Sequence, residues 1–434
     1  MVLKAASLID SPIKSNTDDF FEFDYLVSLL STRIDQCEKS LSDTVALYGP
    51  WGSGKSSILA LTQHKSKSRH HWFLFDALRY QSHGDIIVPL LHYIASQAAP
   101  AHKLGFKKLS ELLLNAARKY VSERLPETKI IFEGARQIDQ AMNVKNGLPE
   151  SYAVQVEHCF RQLISLILDQ GQGRVVIAID NLDRCRPDAV LLIIETLHLV
   201  LNVPGVSFIV AVDQDAIIRF INGRYLGNGT EAALYLEKIF PDYYRVPTPW
   251  SYDEWSQDQD PISRYLSGLT KNSEAKKIRK YVRTMWAIIS YSQALKNPRR
   301  IKRIVRRLSL LKSPRWGENS AKFVGFFFLV ALSDIWPHAY RAFYYAEPDE
   351  WESFIEWIVL DYDFQKAHKK SNITITERKL RLLAEDESLV EFIVATTQCF
   401  SSSEDFDIQA FNQSIIKNYN ALWNLLDHVA QIGL

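Results

Sequence analysis

Short runs of apolar residues recur along this chain, separated by longer stretches in which apolar residues have helical spacing. The runs predict five strands, at residues 45–48, 72–75, 175–180, 206–212 and 243–246. A strand that is apolar throughout is covered on both faces, which is typical of parallel sheets packed between helices. The pattern therefore predicts an α/β fold with a mainly parallel five-stranded sheet flanked by helices.

Two stretches of the chain contain no run of comparable strength. Residues 84–165 have helical spacing and many Lys, Glu and Arg residues, so they predict a helical insertion. Beyond Pro261 only helices are predicted. We therefore expect a core formed by residues 1–83 and 166–250, the insertion, a basic helical lid at 251–315 and a helical C-terminal domain at 316–434.

Composition agrees with a folded protein of more than one unit. The chain has 434 residues, of which 47% are hydrophobic and 23% charged, and a net charge of only +1. The balance gives no overall attraction to nucleic acid or membrane. The four cysteines lack disulfide or zinc spacing, and no leader or apolar run of about 20 residues is present. These features predict a cytoplasmic protein without membrane insertion.

The strongest chemical signal follows the first predicted strand. The segment GPWGSGKSS fits the phosphate-binding pattern G-x-x-x-x-G-K-[ST], with a strand before it and a helix after it. Backbone N–H groups of such a loop, together with the positive end of the helix, converge on an anion. The lysine reaches the outer phosphates, and the first serine after it ligates Mg²⁺. The predicted nucleotide-binding residues are Gly49, Trp51, Gly52, Ser53, Gly54, Lys55, Ser56 and Ser57.

A triphosphate site also needs a carboxylate that holds the metal. Asp180 ends the predicted strand at 175–180, where parallel strands present functional side chains. Its carboxylate would hold Mg²⁺ directly or through water and neutralise charge on the transferred phosphoryl group. Ser56 and Asp180 are therefore the predicted metal residues, whereas a helix cap is the alternative role of Asp180.

Several separated motifs together resemble the KAP family of P-loop NTPases. They are GPWGSGKSS at 49–57, FDALRYQ at 75–81, IDNLDRCRPD at 179–188, AVDQDAI at 211–217, LEKIFPDYYRVP at 236–247 and NPRRIKRIV at 297–305. The resemblance spans roughly residues 20–312 and implies an ATPase with an AAA-like, additional-strand core. Many family members carry membrane helices in the insertion, which this sequence lacks.

The chain departs from the family pattern directly after Asp180. The resemblance implies a second carboxylate that orients and deprotonates the attacking water, but position 181 is Asn181. An amide positions water and cannot accept its proton. Either hydrolysis is slow or Asp183 takes the role. Arg184 is a candidate for stabilising transition-state charge, with a local ion pair as its alternative role, and Asp213 is a candidate γ-phosphate sensor.

Residues 275–317 contain fourteen Lys or Arg and no Asp or Glu. Ile301, Ile304, Val305 and Leu308 have helical spacing, so the arginines surround an apolar stripe. Three interpretations remain open. By resemblance, Arg299 or Arg300 is a second nucleotide sensor; alternatively, the segment contacts nucleic-acid phosphates or is a solvated surface.

These features predict a P-loop ATPase that requires ATP and Mg²⁺ and uses its nucleotide state to change conformation or assembly. The resemblance implies control of a separately encoded effector protein in bacterial defence against phage or plasmids, with a homo-oligomer as the working form. The alternative is a nucleic-acid-stimulated motor that uses the surface at 276–315.

Overall fold

The computed structural model describes residues 12–13, 19–98, 104–125, 144–145, 148–149, 151–169, 173–225, 229–247, 260–271, 275–310, 320–345, 350, 354–355, 358 and 383–398. The chain divides into two compact units. The sheet unit comprises Pro12–Asn16 and Phe23–Pro247. The helical unit comprises Met1–Ser11, Thr17–Glu22 and Thr248–Leu434.

The sheet unit contains a five-stranded parallel sheet, as the apolar runs predicted. In chain order the strands are β1 Asp43–Tyr48, β2 His71–Asp76, the short antiparallel hairpin of β3 Val144–Lys145 and β4 Leu148–Pro149, β5 Val175–Asp180, β6 Val206–Val212 and β7 Asp242–Arg245. The strand order in the five-stranded sheet is β2-β5-β6-β1-β7, so the phosphate loop follows an inner strand. The central strands β5 and β6 are buried at every position, which explains why their sequences do not alternate between apolar and polar residues.

Helices flank this sheet, and those of the predicted insertion share its core. Phe75 of β2, Leu113 of α4 and Phe160 of α5 belong to one cluster of buried apolar residues. The insertion helices are therefore part of the unit that carries the sheet. The helices are α1 Asp24–Gln36, α2 Lys55–Ser66, α3 Ile87–Ala98, α4 Leu104–Arg124, α5 Tyr152–Leu168, α6 Pro187–Leu199, α7 Gln214–Tyr225 and α8 Gly229–Ile239.

A buried arginine joins the strands at the end of the sheet where β5 and β6 begin. Arg174 is 2% exposed and donates to the Ser207 hydroxyl at 2.9 Å. Its guanidinium also donates to four backbone carbonyl oxygens, those of Cys37, Glu38, Leu41 and Val206. A buried charge is tolerated when every donor finds an acceptor, so Arg174 fixes the loop after α1 against the strands.

The described part of the helical unit has its own hydrophobic core, to which Ile301 and Phe327 both contribute. Residues on both sides of the predicted boundary at residue 315 contribute to this core. The boundary itself stays a prediction. No helix among the described residues combines the length and the apolar character needed to cross a bilayer. The helices are α9 Pro261–Leu269, α10 Val282–Tyr291, α11 Pro298–Leu310, α12 Ser320–Ile335, α13 Pro337–Tyr345 and α14 Glu387–Gln398.

Candidate functional site

The glycine-rich loop turns between β1 and α2 at the carboxyl end of the sheet. The N–H of Gly49 donates to the carbonyl of Val212 at 3.2 Å, which attaches the loop to the end of β6. Gly52 and Gly54 have φ values of 84° and 107°. A Cβ on Gly54 would lie 2.6 Å from the ring of Phe23, so backbone conformation and packing both require glycine there.

Lys55 begins α2 and is enclosed by the loop. Its ammonium donates to the carbonyl oxygens of Gly49 at 2.6 Å and Pro50 at 3.2 Å, and the residue is 8% exposed. Burial lowers the pKa of Lys55, and the negative charges of Asp183, Asp213 and Asp180 oppose this shift. The ammonium thus lies at the positive N-terminal end of α2, where anions bind. It can leave the two carbonyl oxygens and bind phosphate oxygens instead.

Ser56 and Asp180, the two predicted metal residues, are in contact. The Ser56 hydroxyl lies close enough to the Asp180 carboxylate to lower its pKa by hydrogen bonding. Burial raises the pKa of Asp180, and the bonds from Ser56 and from the Asn181 N–H, at 2.9 Å, oppose that rise. Hydroxyl and carboxylate oxygens are hard donors of the kind that Mg²⁺ prefers. The residues present therefore fit a magnesium ion bound between β5 and the start of α2.

Two other loop serines have different surroundings. Ser53 is 6% exposed, and its Oγ has no hydrogen-bond partner among the described residues. A buried hydroxyl without a partner is uncommon, so Ser53 is suited to receive a polar ligand. The Oγ of Ser57 instead accepts a bond from the Ile13 N–H at 3.2 Å. In this structure Ser57 therefore holds the segment before α1 against the start of α2.

The remaining candidates of the sheet unit gather around the same strand ends. Asp183 accepts a hydrogen bond from the backbone N–H of Asp213 at 3.2 Å, so the segments after β5 and β6 are linked. Asp213 in turn accepts from the N–H of Asp215 at 3.1 Å and begins the turn into α7. The guanidinium of Arg184 lies over the ring of Trp51. The three predicted residues Asp183, Arg184 and Asp213 thus lie beside the phosphate loop.

Sequence reasoning missed one side chain at this edge, Asp76. It ends β2 and is the register partner of Asp180 in the adjacent strand. The Asn181 amide donates to its Oδ1 at 2.9 Å. The sequence does contain a pattern that indicates this residue. An aspartate follows the apolar run WFLF in the same way that Asp180 follows VVIAI. Comparing the two strand ends as neighbours required the strand order, which the sequence did not specify.

Arg299 and Arg300 lie in the helical unit, in the first turn of α11. Asn297 caps this helix, since its Oδ1 accepts from the backbone N–H groups of both arginines. The Arg300 guanidinium donates to the carbonyl of Ala294 at 2.7 Å, and burial lowers its pKa. Their role as a nucleotide sensor stays a prediction.

Two further arginines of α11 pair with a buried carboxylate of the helical unit. Arg303 and Arg307 lie 2.8 Å and 3.3 Å from the Asp334 carboxylate, whose side chain is only 3% exposed. The single carboxylate offsets part of the charge of these half-buried arginines. This reduces the basic surface that the segment 276–315 offers to a polynucleotide.

Comparisons with known proteins agree with the loop and the sheet. Residues 23–314 match the KAP family P-loop domain, which is more than half of the chain. The phage T7 exclusion protein of Escherichia coli (strain K12) is 22% identical over 331 residues, or 70% of this chain and 43% of that protein. The chain thus spans less than half the length of this curated relative.

Among solved structures, the ORC2 protein of Aeropyrum pernix in its ADPNP–ADP complexes aligns with 91% of this chain and 98% of that chain. The sequence identity is 10% and the TM-score is 0.37.

Proposed function

Since this chain belongs to the KAP family of P-loop NTPases, we propose that it binds ATP with Mg²⁺ and uses the nucleotide state as a switch. The state would change its conformation or assembly and thereby control a separate partner protein. The contact between Ser56 and Asp180 beside the enclosed Lys55 carries the proposal. It brings a phosphate-binding cation and two metal-binding oxygens together at the carboxyl end of a parallel sheet.

Each residue of the loop has a distinct task in this proposal. The N–H groups of the loop hold the phosphates, and Lys55 moves from the carbonyls of Gly49 and Pro50 to the outer phosphates. Ser53 donates its otherwise unpaired hydroxyl to the ligand. Ser56 and Asp180 would hold Mg²⁺, which would neutralise negative charge on the phosphates.

The segments after β5 and β6 report on the outer phosphate. Asp213 is held beside Asp183 by the bond between its N–H and that carboxylate, so movement of one displaces the other. Arg184 stabilises charge that develops during hydrolysis. Asn181 cannot accept a proton from water, so turnover is slow unless a carboxylate at another position takes this role.

Nucleotide binding is tested by isothermal titration calorimetry with ATP, in the presence of Mg²⁺ or of EDTA. Lys55→Ala should weaken binding by roughly 10- to 100-fold, since it removes a charge-assisted contact to phosphate. Lys67→Ala is the matched control, because this exposed lysine follows the other end of α2. Equal ATP affinity in the wild type and in Lys55→Ala would contradict the proposal.

The switch is tested by mass photometry with ATP, ADP or no nucleotide. A change of mass or oligomer distribution that requires ATP and is absent in Lys55→Ala is the expected result. A distribution that is identical in all three conditions, together with unchanged hydrogen exchange, would argue against a switch.

We further propose a role in excluding phage, supported by the similarity to the phage T7 exclusion protein. Cells that express the protein should form fewer plaques when infected with T7-like phages, and Lys55→Ala should abolish this protection. Protection that survives this substitution would separate the defence role from nucleotide binding.

A further inference from the structure

We infer that Asp76 is the carboxylate that orients the attacking water and accepts its proton, and that Asn181 holds Asp76 in place. This inference rests on the proposed function, because it assigns the water-activating group of the same site. It differs from the expectation that the group, if present, would lie after Asp180 on the same strand.

The positions of the two strands bring Asp76 to the reaction edge. β2 and β5 are parallel neighbours, and Asp76 is the register partner of Asp180. Burial is the main cause of the raised pKa of the Asp180 carboxyl, and the charge of Asp76 raises it further. Asp76 therefore lies beside the carboxylate that would hold the metal of a bound nucleotide.

Asn181 makes this contact from an unfavourable backbone conformation. Its backbone is left-handed, with φ 59° and ψ 24°, a conformation that asparagine tolerates better than most residues. Its Nδ2 donates to Asp76 Oδ1 at 2.9 Å, and its carbonyl accepts from the Cys185 thiol at 3.7 Å. An unfavourable backbone held by specific bonds beside a phosphate loop is a sign of a functional position.

The second carboxylate oxygen of Asp76 remains within reach of solvent. Oδ2 accepts from Arg79 Nε at 3.1 Å, but the Arg79 side chain is 78% exposed and that of Asp76 is 35% exposed. Such an exposed pair is weak, so water can replace the guanidinium at Oδ2. Asp76 thus has one oxygen fixed by an amide and one available to a water molecule.

The other acidic groups at this edge have different surroundings. Asp180 is the candidate metal ligand and accepts from the Asn181 N–H. Asp183 accepts from the N–H of Asp213, and its negative charge opposes the lowering of the Lys55 pKa by burial. Asp183 therefore lies on the lysine side of the site, whereas Asp76 lies across β5 from it.

The reaction that Asp76 would assist is hydrolysis of the terminal phosphoanhydride. The water oxygen forms a bond to the γ-phosphorus, and the bond from this phosphorus to the β–γ bridging oxygen breaks. The bridging oxygen leaves with the electron pair as part of ADP. The proton of the water passes to the Asp76 carboxylate and is later released, so the products are ADP and inorganic phosphate.

The test exchanges the two side chains of the pair. Four variants are compared with the wild type: Asp76→Asn, Asn181→Asp, the double variant carrying both changes, and Asp188→Asn. Asp188 is the matched control, since its side chain is 61% exposed in the segment that follows β5. Phosphate release is measured in single turnover, and MgADP affinity is measured with and without aluminium fluoride.

Asp76→Asn should slow phosphate release by about 100-fold or more, the usual contribution of a general base. Its affinity for MgADP should stay within about threefold of the wild type, while the tightening caused by aluminium fluoride is lost. The double variant should recover at least about tenfold of the lost rate, because the pair again holds one carboxylate and one amide. Asp188→Asn should behave as the wild type.

Three outcomes would overturn the inference: a wild-type rate in Asp76→Asn, a double variant no faster than Asp76→Asn, or nucleotide binding by the wild type without any phosphate release. They leave nucleotide binding intact and so spare the binding part of the proposed function. Failure of the wild type to bind nucleotide would instead refute the proposed function and this inference together.

Discussion

The guanidinium of Arg184 lies over the indole ring of Trp51, 5.1 Å from its centroid. Trp51 belongs to the phosphate loop, and Arg184 belongs to the short helix that follows β5 and Asn181. The contact therefore joins the two segments between which the terminal phosphate would be held. A cation–π contact at an exposed site contributes only about 0.5–1 kcal/mol, so ligand binding can rearrange it.

We expect Arg184→Gln to lower single-turnover phosphate release by more than about tenfold if the arginine stabilises transition-state charge. The free energy of unfolding should fall by less than about 1 kcal/mol, the size of an exposed cation–π contact. Arg186→Gln, which changes an exposed arginine two residues away, is the control. Unchanged phosphate release in Arg184→Gln would show that Arg184 contacts Trp51 without stabilising transition-state charge.

Gly54→Ala should destabilise the sheet unit by about 1–3 kcal/mol, the usual cost of overpacking. The added Cβ would meet the Phe23 ring at 2.6 Å, and φ of 107° is strained for alanine. ATP affinity should fall as well, because the loop has to shift. Gly223→Ala is the control, since a Cβ there meets no atom within 4 Å and alanine favours a helix by up to about 1 kcal/mol. Equal urea midpoints for the two variants would refute the prediction.

Arg174→Met should lower the free energy of unfolding by at least about 3 kcal/mol, because several carbonyl oxygens lose their buried donor. Ser207→Ala removes one of these bonds and should cost about 1 kcal/mol. Chemical denaturation monitored by circular dichroism measures both. The ranking of the two variants, with Arg174→Met the less stable, is the decisive observation.

Asp334→Asn should destabilise the helical unit by about 3 kcal/mol, because it leaves Arg303 and Arg307 without their shared, buried carboxylate. Glu385→Gln, an exposed carboxylate in the same unit, should have little effect. Limited proteolysis and thermal unfolding report the difference. Wild-type stability in Asp334→Asn would contradict the prediction and would show that both arginines behave as surface charges.

The Asp35 ion pair predicts a dependence of stability on pH. Burial raises the pKa of Asp35, but the bonds from Arg69 and His70 outweigh it and hold the pKa below its ordinary value. The stabilisation is therefore fully present above the unfolded pKa of about 3.9 and is lost as pH falls through the lower folded value. Asp35→Asn should be less stable than the wild type at pH 7 and at pH 5.

That difference should start to shrink as pH falls below about 4, where the unfolded carboxylate becomes protonated, and should vanish only below the lower pKa of the folded state. Urea unfolding at three pH values measures it. His70 donates to Asp35 through Nε2, because its Nδ1 accepts the backbone N–H of Arg174. A difference that stays constant down to pH 3 would show that charge at position 35 is not the cause.

Much of the site was predictable because its residues are close in sequence or end apolar runs. Gly49, Lys55 and Ser56 follow β1 directly, and Asp180 ends a strand whose six residues are all buried. Such short-range patterns depend on local backbone geometry, which neighbouring residues specify. The role of Ser56 and Asp180 as the metal-binding pair was predicted from the chemistry of the motif, and it stays a prediction.

Other features depended on pairing across the sheet. The bond from Asn181 to Asp76 joins residues that are 105 positions apart in the sequence. The buried Arg174 donates to Ser207, which is 33 positions away. Neighbouring residues therefore predict neither contact. The basic residues around α11 likewise suggested a surface, and only packing against α12 showed that two of these arginines share the carboxylate of Asp334.

The sequence by itself determined the family, the parallel α/β fold and the position of the phosphate loop, because apolar periodicity and glycine spacing act over a few residues. Only the tertiary structure decided which strand ends are neighbours, and therefore that Asp76 stands beside Asn181 and Asp180. Strand order results from how whole elements pack, and local residue patterns do not encode it directly.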